Sequence, residues 1–269
     1  MSETRPSTTI LTIAGSDSGG GAGIQADLKT FSALGLYGAS VITAVTAQNT
    51  CSVTMIEAVS PAMVRAQISA VLDDLRVGAI KIGMLGTPDI IGEVASALKA
   101  SPVPIVLDPV MIAKSGDRLL VSEAIEAMKS QLLPLAHVLT PNLPEAAELL
   151  GMAAAQSLEQ QEAQGRLLCA LGPKWVLMKG GHADGPQCND LLIGQTTHHY
   201  TAPRLKTRNT HGTGCTLSAA IAVGLGQGLS TSDAVAQAHR YLQAALSVSD
   251  QFQVGQGCGP VHHFHAWWA

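Results

Sequence analysis

Near its carboxyl end the chain reads Asn209-Thr210-His211-Gly212-Thr213-Gly214-Cys215, and small, apolar residues follow at helical spacing. This spacing predicts a helix that begins near Thr213. The first turn of a helix has unpaired backbone N–H groups and the positive end of the helix dipole, and Gly212 and Gly214 leave both uncovered. The segment therefore indicates an anion-binding site. The alternative is a glycine-containing helix start that serves packing alone.

Cys215 belongs to the same first turn. We expect the field of the helix N-terminus to lower the pKa of its thiol. An anion site beside a group that accepts a proton suits phosphoryl transfer. A cysteine at a helix start could also be the nucleophile of a hydrolase, with His211 as the candidate base.

The composition of the 269 residues bounds the class of protein. Apolar residues make up 46% and charged residues 13%, which suits buried parallel strands and close packing of small residues between helices. A net charge of −4 without a basic stripe argues against nucleic acid or an anionic membrane as a partner. No apolar run is long enough to span a bilayer, so we expect a cytoplasmic protein. The five cysteines include no pair at CxxC spacing, which predicts free thiols.

Apolar strands alternate with amphipathic helices along the chain. This βαβα order predicts a mostly parallel sheet with helices on both faces, formed as one domain over residues 1–269. Ligands bind at the carboxyl ends of the strands in such sheets. Polar and glycine residues cluster at the predicted strand ends: Gly15, Asp17, Gln48, Asn49, Asp108, Asn142, Glu145 and Lys179.

A glycine-rich loop, residues 15–23, joins the first predicted strand to the first helix. It lacks the Gly-Lys-Ser/Thr ending of a P-loop and the GxGxxG spacing of a dinucleotide site. The glycines either allow a flat ligand to approach the backbone or simply form a turn. Residues 110–119 form a second polar loop, a candidate lid or an ordinary surface loop.

Two short motifs after predicted strands suggest phosphate chemistry. The segment from Asn142 to Glu145 has two interpretations. It caps a helix, or Asn142 and Glu145 bind Mg²⁺ through its water ligands, with Asp108 as a further candidate for this role. Lys179 precedes two glycines and reaches a polyphosphate as a point charge, unless it is a solvated strand-end lysine. The C-terminal histidines, with Phe264, Trp267 and Trp268, predict an amphipathic tail that docks on the body rather than a metal site.

Taken in order, the motifs resemble the bacterial hydroxymethylpyrimidine/phosphomethylpyrimidine kinases of thiamine biosynthesis, in the ribokinase-like superfamily. The resemblance runs from Ile10 to the C-terminus. It rests on the glycine loop above and on Ala47-Gln48-Asn49-Thr50, Lys81-Ile82-Gly83-Met84-Leu85, Asp108-Pro109-Val110-Met111, Ala113-Lys114-Ser115-Gly116-Asp117, Thr140-Pro141-Asn142-Leu143-Pro144-Glu145, Met178-Lys179-Gly180-Gly181-His182 and residues 209–216.

The resemblance implies a three-layer α/β/α ribokinase-like fold, a homodimer, and MgATP-dependent phosphorylation of the pyrimidine hydroxymethyl group and then of the monophosphate. It implies a set of substrate-binding residues: Gly15, Asp27, Gln48, Met84 and Val110. It implies a nucleotide- and metal-binding set: Lys179, Asp108, Asn142, Thr210 and Glu145. Gly212, Thr213, Gly214 and Cys215 would form the catalytic anion hole. Related sugar kinases carry Asp at the position of Cys215, so that residue is either a general base or an orienting group.

Three other functions remain open at this point. A pyridoxal-type kinase of the same superfamily accepts a similar flat, hydroxymethyl-bearing ring, although Gln48 suits the pyrimidine, since its amide donates to a ring nitrogen and accepts from the exocyclic amine. A pyrimidine-binding protein without catalysis would need neither Glu145 nor Lys179. The cysteine hydrolase would need a base oriented toward Cys215.

Overall fold

The computed structural model describes residues 8–111, 121–182, 185–251 and 253–268; most of the predicted loop 110–119, with the motif at 113–117, lies outside them. The strands are β1 (Thr9–Asp17), β2 (Tyr37–Gln48), β3 (Val53–Ala58), β4 (Val77–Ile82), β5 (Ile105–Leu107), β6 (Val138–Leu139), β7 (Trp175–Met178), β8 (Gln187–Ile193) and β9 (Thr197–Pro203). The helices are α1 (Gly23–Ala33), α2 (Pro61–Leu72), α3 (Pro88–Leu98), α4 (Ser122–Ala127), α5 (Leu143–Leu150), α6 (Leu158–Cys169), α7 (Thr213–Gly226) and α8 (Thr231–Ser247).

All these strands form one nine-stranded sheet in the order β3-β2-β1-β4-β5-β6-β7-β8-β9. The central pairs from β2 to β7 are parallel. The edge pairs β2–β3, β7–β8 and β8–β9 are antiparallel. The predicted mostly parallel sheet is therefore confirmed, and so is the hairpin that the sequence predicts from residues 190–193 and 197–201, which forms β8 and β9. The βαβα alternation is wrong at the other edge, where β3 pairs with β2.

Helices cover both faces of the sheet and make the three predicted layers. On one face, apolar residues of α2 to α6 pack against the strands, as Val64, Ile91 and Leu149 do. On the other face, α1, α7 and α8 pack through smaller residues such as Ala220 and Ala238. Small residues allow close approach: a Cβ on Gly226 of α7 would lie 2.3 Å from the Ile10 side chain. This packing holds the N-terminus of α7 at the carboxyl ends of the central strands.

Two elements differ from the sequence-based prediction. Strand β3 was not predicted. Most of its residues are exposed, so its sequence lacks the apolar run that is typical of a buried strand. Helix α6 begins at Leu158, although the sequence predicts a helix only over residues 165–171. Ser157 caps the helix, and the buried Gln161 and Gln164 donate through their amide nitrogens to backbone carbonyls.

The predicted tail docking is confirmed in the described part of the C-terminus. His263 is buried and its Nε2 lies 3.0 Å from Thr216 Oγ1, and Trp267 Nε1 donates to the Ala33 carbonyl over 3.1 Å. These contacts attach the end of the chain to α7 and α1. Across the described ranges, no helix combines the length and the apolar composition needed to cross a membrane.

Candidate functional site

A cavity of about 610 Å³ opens at the carboxyl ends of the central strands. It brings together residues predicted from distant parts of the chain. Those that line it are Gly15, Gln48, Met84, Asp108, Val110, Asn142, Glu145, Lys179, Thr210, Gly212, Thr213, Gly214 and Cys215. One predicted residue, Asp27, does not line it.

The anion-hole segment has the predicted geometry. Helix α7 begins at Thr213, and no side chain caps its N-terminus. Gly212 has φ +76°, and a Cβ there would lie 1.9 Å from the carbonyl oxygen of Gly21 in the glycine loop. A Cβ on Gly214 would lie 3.3 Å from Lys179 Nζ. The two glycines therefore let the first turn of α7 approach both the loop and the lysine.

Asp17 and His211 join the glycine loop to this segment. The Asp17 carboxylate lies 2.9 Å from His211 Nε2 and accepts the backbone N–H groups of Gly19, Gly21 and Ala22 over 2.8, 3.1 and 2.9 Å. Burial opposes the charge of Asp17, but the hydrogen bond and the charge interaction with His211 hold its pKa below the ordinary value. The glycine loop is thus a fixed wall of the cavity, held by an anchor 194 residues away in the sequence.

Asp108, Lys179 and Glu145 form a line of alternating charge beside the anion hole. Lys179 Nζ lies 2.9 Å from Asp108 Oδ1 and 3.8 Å from Glu145 Oε2. Burial raises the pKa of Asp108, but Lys179 and Lys81 outweigh burial and hold it below the usual range. The lysine is therefore charged and largely buried in the cavity wall, which excludes the solvated strand-end alternative.

The geometry of the Asn142–Glu145 motif is compatible with both helix capping and metal binding. Asn142 Oδ1 accepts the N–H of Glu145, and Glu145 Oε2 accepts the N–H of Asn142, each over 2.8 Å. This capping box starts α5 and points one carboxylate at the cavity. Burial raises the pKa of Glu145 to about 7, since the nearby Lys179 offsets only part of the burial and Asp108 adds to it.

The donor set fits Mg²⁺ better than a metal held wholly by protein. Among the described residues, no group of three or more His, Cys, Asp and Glu side chains is placed to hold an ion. Mg²⁺ usually retains several waters and takes one or two carboxylates together with substrate phosphates. A single carboxylate, that of Glu145, beside the buried ammonium of Lys179 matches this pattern.

Asp27, a predicted substrate-binding residue, lies beneath the cavity and not in its lining. It is fully buried, and its Oδ2 accepts from Thr12 Oγ1 over 2.6 Å and from Lys81 Nζ over 2.8 Å. Because these contacts lie beneath the cavity surface, Asp27 reaches the cavity through Lys81, which does line it. Sequence reasoning missed Lys81 as a site residue, although a lysine inside the apolar strand β4 was an available signal.

The prediction that the pKa of the Cys215 thiol is lowered is wrong. Burial raises this pKa to about 11, and the charges of Asp27 and Asp108 add to the rise. Lys81 and the backbone N–H of Gly23 oppose this rise without cancelling it. The helix dipole favours the thiolate, but desolvation and the buried carboxylates, which only the tertiary structure brings near the sulfur, outweigh it.

The opposite end of the cavity is suited to a flat ligand. The Met84 methyl packs over Gly15, where a Cβ would lie 2.6 Å from Met84 Cε. Gln48 Oε1 accepts from Thr46 Oγ1 over 3.1 Å, and the Gln48 backbone N–H donates to Ser18 Oγ over 2.8 Å. Gln48 is thereby oriented at the cavity wall with polar atoms of its amide available to a ligand.

A further set of residues that line the cavity was not predicted from the sequence. One face of α8, the last residue of β9 and the segment that follows β9 also line the cavity. The residues are His239, Leu242, Gln243, Leu246, Pro203, Arg204, Leu205 and Thr207. The α8 residues recur at helical spacing, which is the signal that could have marked them. The cavity is therefore larger than the predicted site residues alone define.

Comparisons of sequence and structure show which known proteins this chain is similar to. The phosphomethylpyrimidine kinase family model matches residues 17–262. A hydroxymethylpyrimidine/phosphomethylpyrimidine kinase of Rhizobium meliloti is 54% identical over 259 residues, which cover 96% of this chain and 97% of that protein. The structure of a Clostridium difficile phosphomethylpyrimidine kinase is 46% identical, with a TM-score of 0.79, and covers 88% of this chain and 99% of that one. A Bacillus subtilis pyridoxal kinase in an ADP complex is 36% identical, with a TM-score of 0.89 and coverage of 97% and 98%.

Proposed function

The chain belongs to the phosphomethylpyrimidine kinase family, and from that premise we propose that it phosphorylates 4-amino-5-hydroxymethyl-2-methylpyrimidine with ATP and then phosphorylates the monophosphate, for thiamine biosynthesis. One observation carries the proposal. The uncapped N-terminus of α7 lines the same cavity as Gln48 and Lys179, and its Gly214 lies next to the Lys179 ammonium. Transfer of a phosphoryl group between two bound substrates needs hydrogen-bond donors and positive charge at one position that both substrates reach.

The pyrimidine end of the cavity provides shape and hydrogen bonds. Gly15 and the Met84 methyl form a slot for the ring, with Val110 beside it. The Gln48 amide donates to a ring nitrogen and accepts from the exocyclic amine, which a pyridine ring without that amine does not offer. Gln48 therefore favours the aminopyrimidine over pyridoxal.

The phosphate end of the cavity provides positive charge. Lys179 and the backbone N–H groups at the start of α7 bind the transferred phosphoryl group, and Asp108 fixes the lysine by an ion pair of 2.9 Å. Thr210 lies at the edge of the same site. Glu145, supported by Asn142, would hold Mg²⁺, which when bound neutralises charge on the nucleotide phosphates.

Cys215 is the group nearest to the chemistry in this proposal. The new bond joins the hydroxymethyl oxygen to the γ-phosphorus, the bond from that phosphorus to the departing ADP oxygen breaks, and the hydroxyl proton leaves the substrate. Because its pKa is raised to about 11, the Cys215 thiol is mostly neutral at pH 7, and the hydroxyl proton passes to an oxygen of the transferred phosphoryl group as the new bond forms. The neutral thiol orients the hydroxyl group by a hydrogen bond. The loose transition state of phosphoryl transfer needs little proton movement at the start.

The structural similarity to the Bacillus subtilis pyridoxal kinase makes pyridoxal phosphorylation the second candidate. Measurements of kcat/KM with MgATP and each ring, with the phosphorylated products followed by ³¹P NMR, test the choice. We expect the larger value for the pyrimidine, and a second resonance from the diphosphate product. A larger kcat/KM for pyridoxal would replace the proposed substrate, and ring binding without ATP consumption would indicate a binding protein.

The hydrolase alternative lacks support from the geometry. His211 Nε2 is engaged by Asp17, and the thiol of Cys215 has a raised pKa rather than the lowered pKa of an activated nucleophile. The proposal also includes a single kinase domain, a cytoplasmic location and a homodimer. One continuous sheet through β1 to β9 supports the single domain. Light scattering coupled to size-exclusion chromatography tests the dimer.

A further inference from the structure

The segment after α8 returns to the start of α7. Residues 259–263, here called the tail segment, contact it on both sides of the anion hole. The Gly259 carbonyl accepts the backbone N–H of His211 over 2.9 Å, and His263 Nε2 lies 3.0 Å from Thr216 Oγ1. His211 and Thr216 are the residues immediately before and after the four anion-hole residues. The tail segment therefore holds the anion hole at both of its ends.

The tail segment is itself fixed to α8. Tyr241 Oη donates to the His263 carbonyl over 2.7 Å, and the backbone N–H of His262 donates to the Ala245 carbonyl over 3.2 Å. Val261 is buried in the apolar cluster to which α7 and α8 also contribute. Because three consecutive residues are attached to the body of the protein, the tail segment is a fixed support for the start of α7.

His263 and Thr216 form a buried polar pair within this support. Both side chains are buried, and burial lowers the pKa of His263 to about 3. The ring is therefore neutral at pH 7, and it acts as a hydrogen-bond partner rather than as a charge. An apolar pair of the same shape can be nearly as stable as a buried hydrogen-bonded pair, so stability alone does not explain it. The hydrogen bond adds a fixed orientation between the tail segment and Thr216.

Thr216 transmits this contact to the anion hole. Its backbone N–H donates to the Gly212 carbonyl over 2.8 Å, and this bond closes the first turn of α7. Gly212 in turn approaches the glycine loop, since a Cβ there would lie 1.9 Å from the Gly21 carbonyl oxygen. A shift of Thr216 would therefore move the first turn of α7 relative to the loop and to the cavity that both of them line.

We propose that His263 is a positioning residue for phosphoryl transfer: through Thr216 it holds the first turn of α7, and with it the anion hole, against the tail segment. The inference rests on the proposed kinase function for its catalytic meaning, and on the contacts of the tail segment for its structural content. Hydrogen-bond donors stabilise charge in a transition state best when their positions are fixed before the reaction. The pair therefore contributes to kcat, whereas pyrimidine binding at Gln48 does not depend on it.

Two substitutions at His263 test this role. His263→Leu removes the hydrogen bond and keeps an apolar side chain in its place, whereas His263→Gln offers an amide group to Thr216. A misplacement of about 1 Å can reduce a rate roughly 100-fold, and the remaining Gly259 contact limits the movement. We therefore expect kcat to fall roughly tenfold in His263→Leu, with the KM values for the pyrimidine and ATP within about threefold of wild type. His263→Gln should recover most of the lost kcat.

The partner residue gives an independent test, which also applies if His263→Leu is insoluble. Thr216→Val removes the hydroxyl group at nearly constant shape, and Thr216→Ser retains it. Thr216→Val should lower kcat by a factor similar to that of His263→Leu, and Thr216→Ser should not. The double variant His263→Leu/Thr216→Val should be no slower than either single variant, because the same hydrogen bond is lost in each. Multiplication of the two effects would show that the residues act independently and would overturn the inference.

Trp267→Phe is the matched control for tail docking in general. It removes another hydrogen bond of the C-terminal region, from Trp267 Nε1 to the Ala33 carbonyl at α1 over 3.1 Å. We expect a wild-type kcat in this variant. A loss of kcat equal to that of His263→Leu would show that any loosening of the C-terminus lowers activity, and it would contradict a specific role for His263.

Hydrogen exchange tests the structural content without kinase turnover. The backbone amides of the first turn of α7 should exchange up to about tenfold faster in His263→Leu, the factor that a net hydrogen bond contributes to local opening, and at the wild-type rate in Trp267→Phe. This exchange result in a wild-type protein that phosphorylates neither ring would refute the proposed function and leave the support of α7 intact. In an active enzyme, an unchanged kcat for His263→Leu would overturn the inference, whether or not exchange is faster.

Discussion

Gly212→Ala is the substitution that best separates the anion hole from ordinary helix packing. Gly212 precedes α7 with φ +76°, a conformation in which an alanine is strained by roughly 1–2 kcal/mol. The added Cβ would also lie 1.9 Å from the Gly21 carbonyl oxygen, a backbone atom with no rotamer to change. The helix start and the glycine loop must therefore move apart.

The size of the effect follows from these distances. Ordinary contact begins at 3.4 Å, so the two backbones must separate by 3.4 − 1.9 = 1.5 Å. Misplacement of catalytic groups by about 1 Å can reduce a rate roughly 100-fold. We therefore expect kcat to fall by about two orders of magnitude, with a smaller change in the KM for the pyrimidine.

Gly228→Ala is the matched control. Gly228 follows the other end of the same helix with φ +86°, is exposed, and has nothing within 4 Å of the position that an alanine Cβ would take. Both variants carry a similar backbone strain, so thermal denaturation should show a similar small loss of stability from that cause in each. Only Gly212→Ala should lose activity. A kcat for Gly212→Ala within threefold of that for Gly228→Ala would refute the assignment of the α7 N-terminus as the phosphoryl site.

Other substitutions test the remaining roles. Cys215→Ala should lower kcat more than KM, and an unchanged kcat would remove the thiol from the mechanism. If Cys215 is the base, kcat should rise with pH toward the thiol pKa of about 11, whereas a flat profile would indicate an orienting role. Gln48→Ala should raise the KM for the pyrimidine, and an effect on ATP alone would contradict its assignment. Glu145→Gln should raise the Mg²⁺ concentration required for half-maximal activity, measured by titration at saturating ATP; an unchanged requirement would exclude Glu145 as a metal ligand.

The sequence was sufficient to predict those elements that have a regular local pattern of apolar and polar residues. Apolar strands that alternate with amphipathic helices determined the parallel centre of the sheet, and the polar residues at strand ends determined which edge carries the cavity. The start of α7 at Thr213 and the cap at Asn142 were also predicted, because caps and helix starts depend on a few neighbouring residues. The exposed strand β3 lacks such a local signal, and the start of α6 has the Ser157 cap but lacks the apolar spacing that marks a helix.

Tertiary structure decided the electrostatics of the site. The helix dipole argued for a lowered thiol pKa at Cys215, but burial and two carboxylates from remote segments raise it. Asp27 was expected at the substrate, yet its pairing with Lys81 across 54 residues holds it below the cavity floor. A pKa depends on solvent exposure and on every charge within a few ångströms, and the fold, rather than sequence spacing, sets those quantities. The sequence alone therefore determined many of the residues that meet at the cavity, and the tertiary structure determined which of the predicted residues line it and how burial and neighbouring charges shift their pKa values.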